Sequence, residues 1–269
     1  MLKDITFGQY YESKSVIHRL DPRMKIILMI IFIVFIFICK NIFSLLFAAL
    51  CVFLTAFISG VPFKMYLKNM KAILPVLIFT AIINLFYGDG GKVLLSFWVV
   101  EITTVGIYRS FFMSMRILLL IFISSALTYT TTPNDLTDAI ESLLSPLKFI
   151  GLKNAVHTLA MMMTIALRFI PTLIEEAEKI MNAQKARGAD LESGGLIDRV
   201  KALIPILIPL LVSSVRRADE LAKAMECRCY NGGEGKTRMK QMILKATDFT
   251  ALISVAIMCG VIILFNILF

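Results

Sequence analysis

The sequence predicts an all-α integral membrane protein, with about five transmembrane helices and a cytoplasmic-side domain of long helices between the fourth and the fifth. Three observations carry this. Of 269 residues, 58% are hydrophobic and only 17% charged, where a soluble domain carries about 25% charge and 45–50% apolar residues. The 20 Phe and the long Ile/Leu runs exclude intrinsic disorder, because such runs cannot stay solvated. The basic residues behind the net charge of +9 lie between apolar runs and in one long segment after the fourth run. That placement reads as a topology signal and not as a nucleic-acid patch.

Each span follows from its apolar run and its ends, since a crossing needs roughly 17–25 mostly apolar residues. The first runs from Met24 to Cys39, with Asp21 as N-cap and Pro22 in the first turn, where a missing N–H costs nothing. Lys40-Asn41 breaks the chain, and the second span covers Ile42 to about Val61. The third covers Ala72 to Tyr87 and is ended by the glycines from Gly88. The fourth covers Gly106 to Thr128, and the fifth Phe249 to Phe269. The stretch from Leu159 to Ile174 is apolar but holds Arg168 and Pro171, so it reads as a helix at the cytoplasmic membrane edge. Within the N-terminal segment, residues 1–23, Met1 to Asp21 does not read as a signal peptide: the stretch is polar, carries Lys14, Arg19 and acidic residues, and the apolar run starts only after Pro22.

Lys/Arg counts in short loops set orientation. The N-terminal stretch up to Lys25 holds five, and the loop from Pro62 holds Lys64, Lys68 and Lys71. The Lys40 turn and the 88–105 loop hold one each. The N-terminus and residues 130–247, with 16 of the 28 basic residues, therefore face the cytoplasm. Arg109 and Arg116 share one face of the fourth span. Intramembrane charge is a functional candidate by default, but the plainer reading is preferred: Arg109 snorkels and Arg116 pairs within the bundle.

Two long helical patterns follow in the cytoplasmic segment. One runs from about Asn154 to Ala186 and stops at Gly188; the other runs from Leu196 to about Tyr230, bent by Pro205 and Pro209. Their ends resemble each other at an offset of 41. Ala177, Glu178, Ile180, Ala183, Ala186, Arg187 and Gly188 stand beside Ala218, Asp219, Leu221, Ala224, Cys227, Arg228 and Cys229. Each end carries an acidic turn, an Ala-lined face and an Arg between two small residues. Small residues allow close approach, and a guanidinium suits a carboxylate on a partner. A repeated helix end invites a repeated partner groove. The competing explanation is that basic residues near a helix C-terminus simply complement its dipole.

Other motifs weigh less. Gly232-Gly-Glu-Gly-Lys-Thr237 resembles part of a phosphate loop, but Tyr230 stands where that loop needs glycine, and a helix precedes it. Cys227 and Cys229 point to different helix faces and have no neighbouring His or Cys to complete a zinc site. His18 and His157 read as polar packing residues, and Met161 to Met163 as core filler or an adaptable surface. No nucleophile, base and orienter come together, which argues against an intramembrane enzyme.

At this point the residues resemble the energy-coupling factor (ECF) transporter transmembrane proteins, the EcfT or CbiQ-like family. The matching pieces are His18 to Arg23, Leu167 to Pro171, Glu175 to Glu178, Ala183 to Ala189, Lys201 to Pro205, Arg216 to Leu221 and Ala224 to Tyr230. The resemblance implies a non-catalytic subunit of a bacterial plasma-membrane importer, with no cofactor of its own. In it, residues 24–128 and 247–269 form the transmembrane region, and 129–246 a coupling domain of long crossed helices. It implies two ABC-type ATPase partners of the EcfA and EcfA' kind, which bind the ATP, and a substrate-binding S component within the lipid bilayer. It assigns ATPase docking to Ala186-Arg187-Gly188 and Cys227-Arg228-Cys229, and S-component contact to the membrane side and the long apolar helices. Mechanical linkage would then make the apolar surface with Leu203, Leu207, Leu210 and Leu211 the part that changes shape under the S component. A dedicated metal-ion importer subunit is the alternative within the family. An unrelated intramembrane enzyme or channel is the alternative outside it.

Overall fold

In the computed structural model, residues 10–86, 93–97, 100–146, 153–189, 195–231 and 242–268 are described. The elements in order are α1 (Pro22–Ile38), α2 (Ile42–Ile58), α3 (Phe63–Phe86), β1 (Val93–Phe97), β2 (Val100–Thr103) and α4 (Thr104–Thr130). Then come α5 (Pro133–Leu143), α6 (Lys153–Ala186), α7 (Leu196–Cys227) and α8 (Ala246–Leu268). The architecture is that of an all-α membrane protein. Helices α3, α4, α6 and α8 are each long and apolar enough to cross a bilayer, and α2 is a shorter apolar helix. One local expectation changes: the loop between α3 and α4 contains an antiparallel hairpin, β1 with β2, in which Phe97 pairs with Val100. The glycines after Tyr87, Gly151 and the Gly232–Thr237 stretch lie outside the described residues.

The described residues divide into two compact units, one within 8–136 and 241–269 and the other within 137–240. In the first, α4 packs on α1, α2 and α3, while α8 packs on α1 and α2. The core is apolar and tight: Ile36, Ala48 and Leu119 have no exposed surface, and Phe32 and Phe122 almost none. Tyr66 stacks on Phe122 with ring centroids 5.2 Å apart and meets Tyr129 edge-on at 5.2 Å. Both hydroxyls are partnered, Tyr66 with Ser59 Oγ and Tyr129 with the Met65 carbonyl, as buried phenols require. The outer face is apolar too: Phe57 is 88% exposed and Ile267 79%. In water that would be an unsolved patch; in a bilayer it is the surface the solvent demands.

The polar groups of this unit collect at helix ends. Asp21 caps α1, accepting from the Arg23 N–H at 2.9 Å. Asp248 is buried in the first turn of α8, and one carboxylate serves two helix starts. Oδ1 accepts from the Asp21 N–H at 2.9 Å and Oδ2 from the Lys245 N–H at 2.7 Å. Lys25, also buried, donates to the Thr130 carbonyl at 2.7 Å, the last turn of α4. Its neighbouring charges are Asp135, Asp21 and Asp248, so a buried cation sits among three acids. Close by, His18 Nε2 donates to the Tyr11 carbonyl at 2.8 Å, which leaves Nδ1 to accept from Ser15 Oγ at 2.7 Å. At the other end of α1, Arg116 donates to the Cys39 carbonyl at 2.7 Å and lies 4.9 Å from the Phe112 ring centroid. The fourth-span arginine thus terminates a neighbouring helix, the bundle role expected for it.

In the second unit α6 and α7 pack against each other. They run antiparallel. Tyr230, just past the end of α7, donates its hydroxyl to Met161 Sδ near the start of α6. Further along, Glu176 of α6 meets Ser213 and Arg217 of α7. Both helices stay continuous through their prolines, Pro171 in α6 and Pro205 and Pro209 in α7. His157 Nδ1 lies 3.4 Å from Glu141 Oε1 of α5, a packing role.

Candidate functional site

The two helix ends singled out by sequence close in the same way. At the end of α6 the Gly188 N–H donates to the Lys185 carbonyl at 3.0 Å, and the Ala189 N–H to the Gln184 carbonyl at 3.0 Å. At the end of α7 the Cys229 N–H donates to the Glu226 carbonyl at 2.9 Å, and the Tyr230 N–H to the Met225 carbonyl at 3.0 Å. Both are the paired 5→2 and 6→1 bonds of a Schellman cap, which satisfy carbonyls left over at a helix C-terminus. In each, Arg occupies the cap position and the next residue turns left-handed, Gly188 at φ +84° and Cys229 at φ +53°. Every equivalent position differs by the same 41 residues, so the sequence repeat is also a repeat of backbone form.

This form explains the second small residue better than close packing does. A Cβ added at Gly188 would meet nothing within 4 Å, so glycine there supplies the left-handed turn and not room for this chain's own atoms. Cys229 makes the same turn with a side chain attached, at a cost of about 1–2 kcal/mol for an L-residue. Sequence reasoning had no way to see that the Cys form would close as the Gly form does.

Arg187 and Arg228 are both exposed, as are Ala186, Cys227 and Cys229. Among the described residues no side chain of this protein engages either guanidinium. Both ends therefore present a permanent charge, with five N–H donors, beyond the tip of a stiff rod.

The apolar face expected along α7 is open. Leu203, Leu207 and Leu211, one face at successive turns, are 49%, 57% and 66% exposed, while Leu210 is half-buried. Ile204, Ile208, Val212 and Val215 extend the exposed apolar surface. Leucines this exposed at helical spacing are a surface looking for cover.

The sequence reading missed the residues joining the two rods. Glu176 Oε1 accepts from Ser213 Oγ at 3.0 Å, and Oε2 accepts from Arg217 Nη2. A signal was available: at the offset of 41, Glu175-Glu176 falls on Arg216-Arg217, like backbone and opposite charge.

Comparison with known proteins places these features in a family. The model of the CbiQ family, described as cobalt transport protein, matches residues 13–239. A protein of Ruminiclostridium cellulolyticum named energy-coupling factor transporter transmembrane protein EcfT is 52% identical, over 94% of this chain and 93% of its own. Proteins of the same name from Clostridium kluyveri and Bacillus subtilis are 49% and 39% identical, over 93% and 97% of this chain and the same shares of theirs.

Proposed function

Because the chain belongs to the CbiQ family, as a transmembrane subunit of an energy-coupling factor transporter, we propose that it couples two cytoplasmic ATPases to a membrane-embedded S component. The protein sits in the bacterial plasma membrane with its N-terminus in the cytoplasm. ATP is bound and hydrolysed by the ATPases, and substrate is bound by the S component. This chain performs no bond chemistry and transmits movement.

The observation that carries this reading is the pair of matching Arg-tipped caps. Arg187 enters a groove on one ATPase and Arg228 a groove on the other, each pairing with an acidic side chain. Closure of the ATPases on ATP moves the two grooves, and the rods follow. The exposed leucine face of α7, with Leu203, Leu207 and Leu211, changes position beneath the S component, which tips in the bilayer. The apolar residues there suit a partner helix, since helix association in lipid depends on packing and not on escape from water. The family's description, cobalt transport, supports a second reading in which the complex is a dedicated metal-ion importer. Both readings share the same mechanics and differ only in the S component.

Charge reversal tests the reading. Losing one partner of a desolvated charge pair costs roughly 3–5 kcal/mol, and reversal adds repulsion. Arg187→Glu or Arg228→Glu should therefore release the ATPases from the purified complex, or leave hydrolysis running without uptake. Normal co-purification and normal uptake in both variants would refute docking through these residues. Identifying the S component that co-purifies separates the two readings.

A further inference from the structure

We propose that Glu176, Ser213 and Arg217 form the fulcrum of a pseudo-two-fold lever, holding α6 and α7 at a fixed crossing. A separation of 41 residues relates the two capped ends, Arg187 to Arg228 and Gly188 to Cys229, and the same 41 residues separate Glu176 from Arg217. Arg217 is thus bonded to its own repeat-equivalent. In a pair of antiparallel helices related by a two-fold, a residue meets its equivalent only where the axis passes. The Tyr230–Met161 contact agrees. An antiparallel register that pairs 161 with 230 brings 175 opposite 216, next to the observed bridge.

The chemistry suits an axis. Identical charged residues there would repel; here the equivalent positions carry opposite charge, two Glu on α6 and two Arg on α7. Ser213 takes the second carboxylate oxygen at 3.0 Å, so the carboxylate is held at both ends and cannot slide along the partner helix. Each Arg tip lies 11 residues beyond its member of the bridge, three turns and roughly 16 Å. The tips therefore extend on opposite sides of the fulcrum, up to roughly 33 Å apart. A change of about 10° in crossing moves each tip by roughly 3 Å, enough to break a hydrogen bond at a docked guanidinium. The bridge touches no ATP or substrate; these are positioning residues, and their part in transport rests on the coupling function proposed above.

The test measures geometry on the full chain in lipid nanodiscs, without ATPases, so it stands if docking fails. In a background of Cys227→Ser and Cys229→Ser, spin labels on Asn182→Cys of α6 and Lys201→Cys of α7 report the opening of the rods on one side of the fulcrum. Glu176→Gln and Arg217→Gln should each broaden the distance distribution and shift it by roughly 3 Å. The swap, Glu176→Arg with Arg217→Glu, should restore the parental distribution. Should Glu176→Gln prove too unstable to purify, Ser213→Ala, which removes one of the two bonds to the carboxylate, should give a smaller shift. In assembled complexes, the single variants should retain their ATPases but take up less substrate per ATP, and the swap should recover that ratio. Unchanged distributions in the single variants or in Ser213→Ala, or a swap as disordered as either single, would overturn the proposal.

Discussion

Replacing Asp248 with alanine removes the acceptor that two helix starts share. The Asp21 N–H is the costlier loss: Asp21 is 7% exposed, so its amide would have no water to turn to. A hydrogen bond to a charged group is worth about 1.5–3 kcal/mol, and a buried donor left without one forfeits that range. The Lys245 N–H belongs to an exposed residue, so its loss resembles that of an ordinary helix cap, about 1 kcal/mol. Lys25 also loses one of three acidic neighbours. The total is about 3 kcal/mol, which for a cooperative unit of this size corresponds to a melting temperature lower by about 6–12 °C. Asp248→Asn keeps one acceptor oxygen and should lose about half as much. The assay is thermal unfolding of the purified chain in detergent, followed by thiol reactivity of the buried cysteines Cys39, Cys51 and Cys259. A melting temperature for Asp248→Ala within about 2 °C of the parent would refute the shared-acceptor account.

Further outcomes follow from the same structure. Gly106→Ala should destabilise the α3–α4 contact by about 1–3 kcal/mol in the same melting assay. The new Cβ would lie 2.6 Å from the Leu85 carbonyl oxygen, and that clash outweighs the gain of about 1 kcal/mol that alanine normally brings to a helix. Cys229→Gly should relieve the left-handed turn and slow amide exchange in the last turn of α7 by about fivefold, while Cys229→Val should speed it, as read by hydrogen exchange of the purified chain. His18 carries a pKa lowered from 6.5, chiefly by burial, with Lys25 adding to the effect and the Tyr11 carbonyl opposing it. The unfolded chain therefore takes up the proton first as pH falls. The stabilisation is complete above about 6.5 and is lost as pH drops through the lower folded value. Melting between pH 7.5 and 5 should fall less steeply in His18→Gln than in the parent.

The apolar helices were legible because each is a long apolar run closed by a charge, a proline or a glycine, but α6, read as a membrane-edge helix, is itself long and apolar enough to cross a bilayer. α1, α2, α4 and α8 begin and end within a few residues of those runs, and α6 begins one residue before Asn154. α3 starts well ahead of its apolar run, at Phe63, because helix propensity carries through the lysine-bearing stretch that hydropathy reads as loop. The hairpin was hidden for a similar reason: its strands, five and four residues, are too short to set a period against the helices on either side. The repeat between the two helix ends was visible as spelling, and the matching caps give it a shape. Arg228 and Cys229 spell a poor left-handed turn, since the rule for that position names glycine. What sequence withheld altogether were the long-range polar contacts: Lys25 with Thr130, Asp248 with Asp21, and Glu176 with Arg217. These depend on which helices become neighbours, which no local pattern encodes.

The two rods close alike but are not equally durable. Glycine holds the left-handed turn at Gly188 with no steric penalty, while Cys229 holds it against the chirality of its own side chain. Thermal fraying should begin at residue 229 and spread backward, so amide protons of the last turn of α7 should exchange sooner than those of α6. A device with two arms of matching outline thus has a firm hand and a soft one, and an applied load would distort the softer grip first.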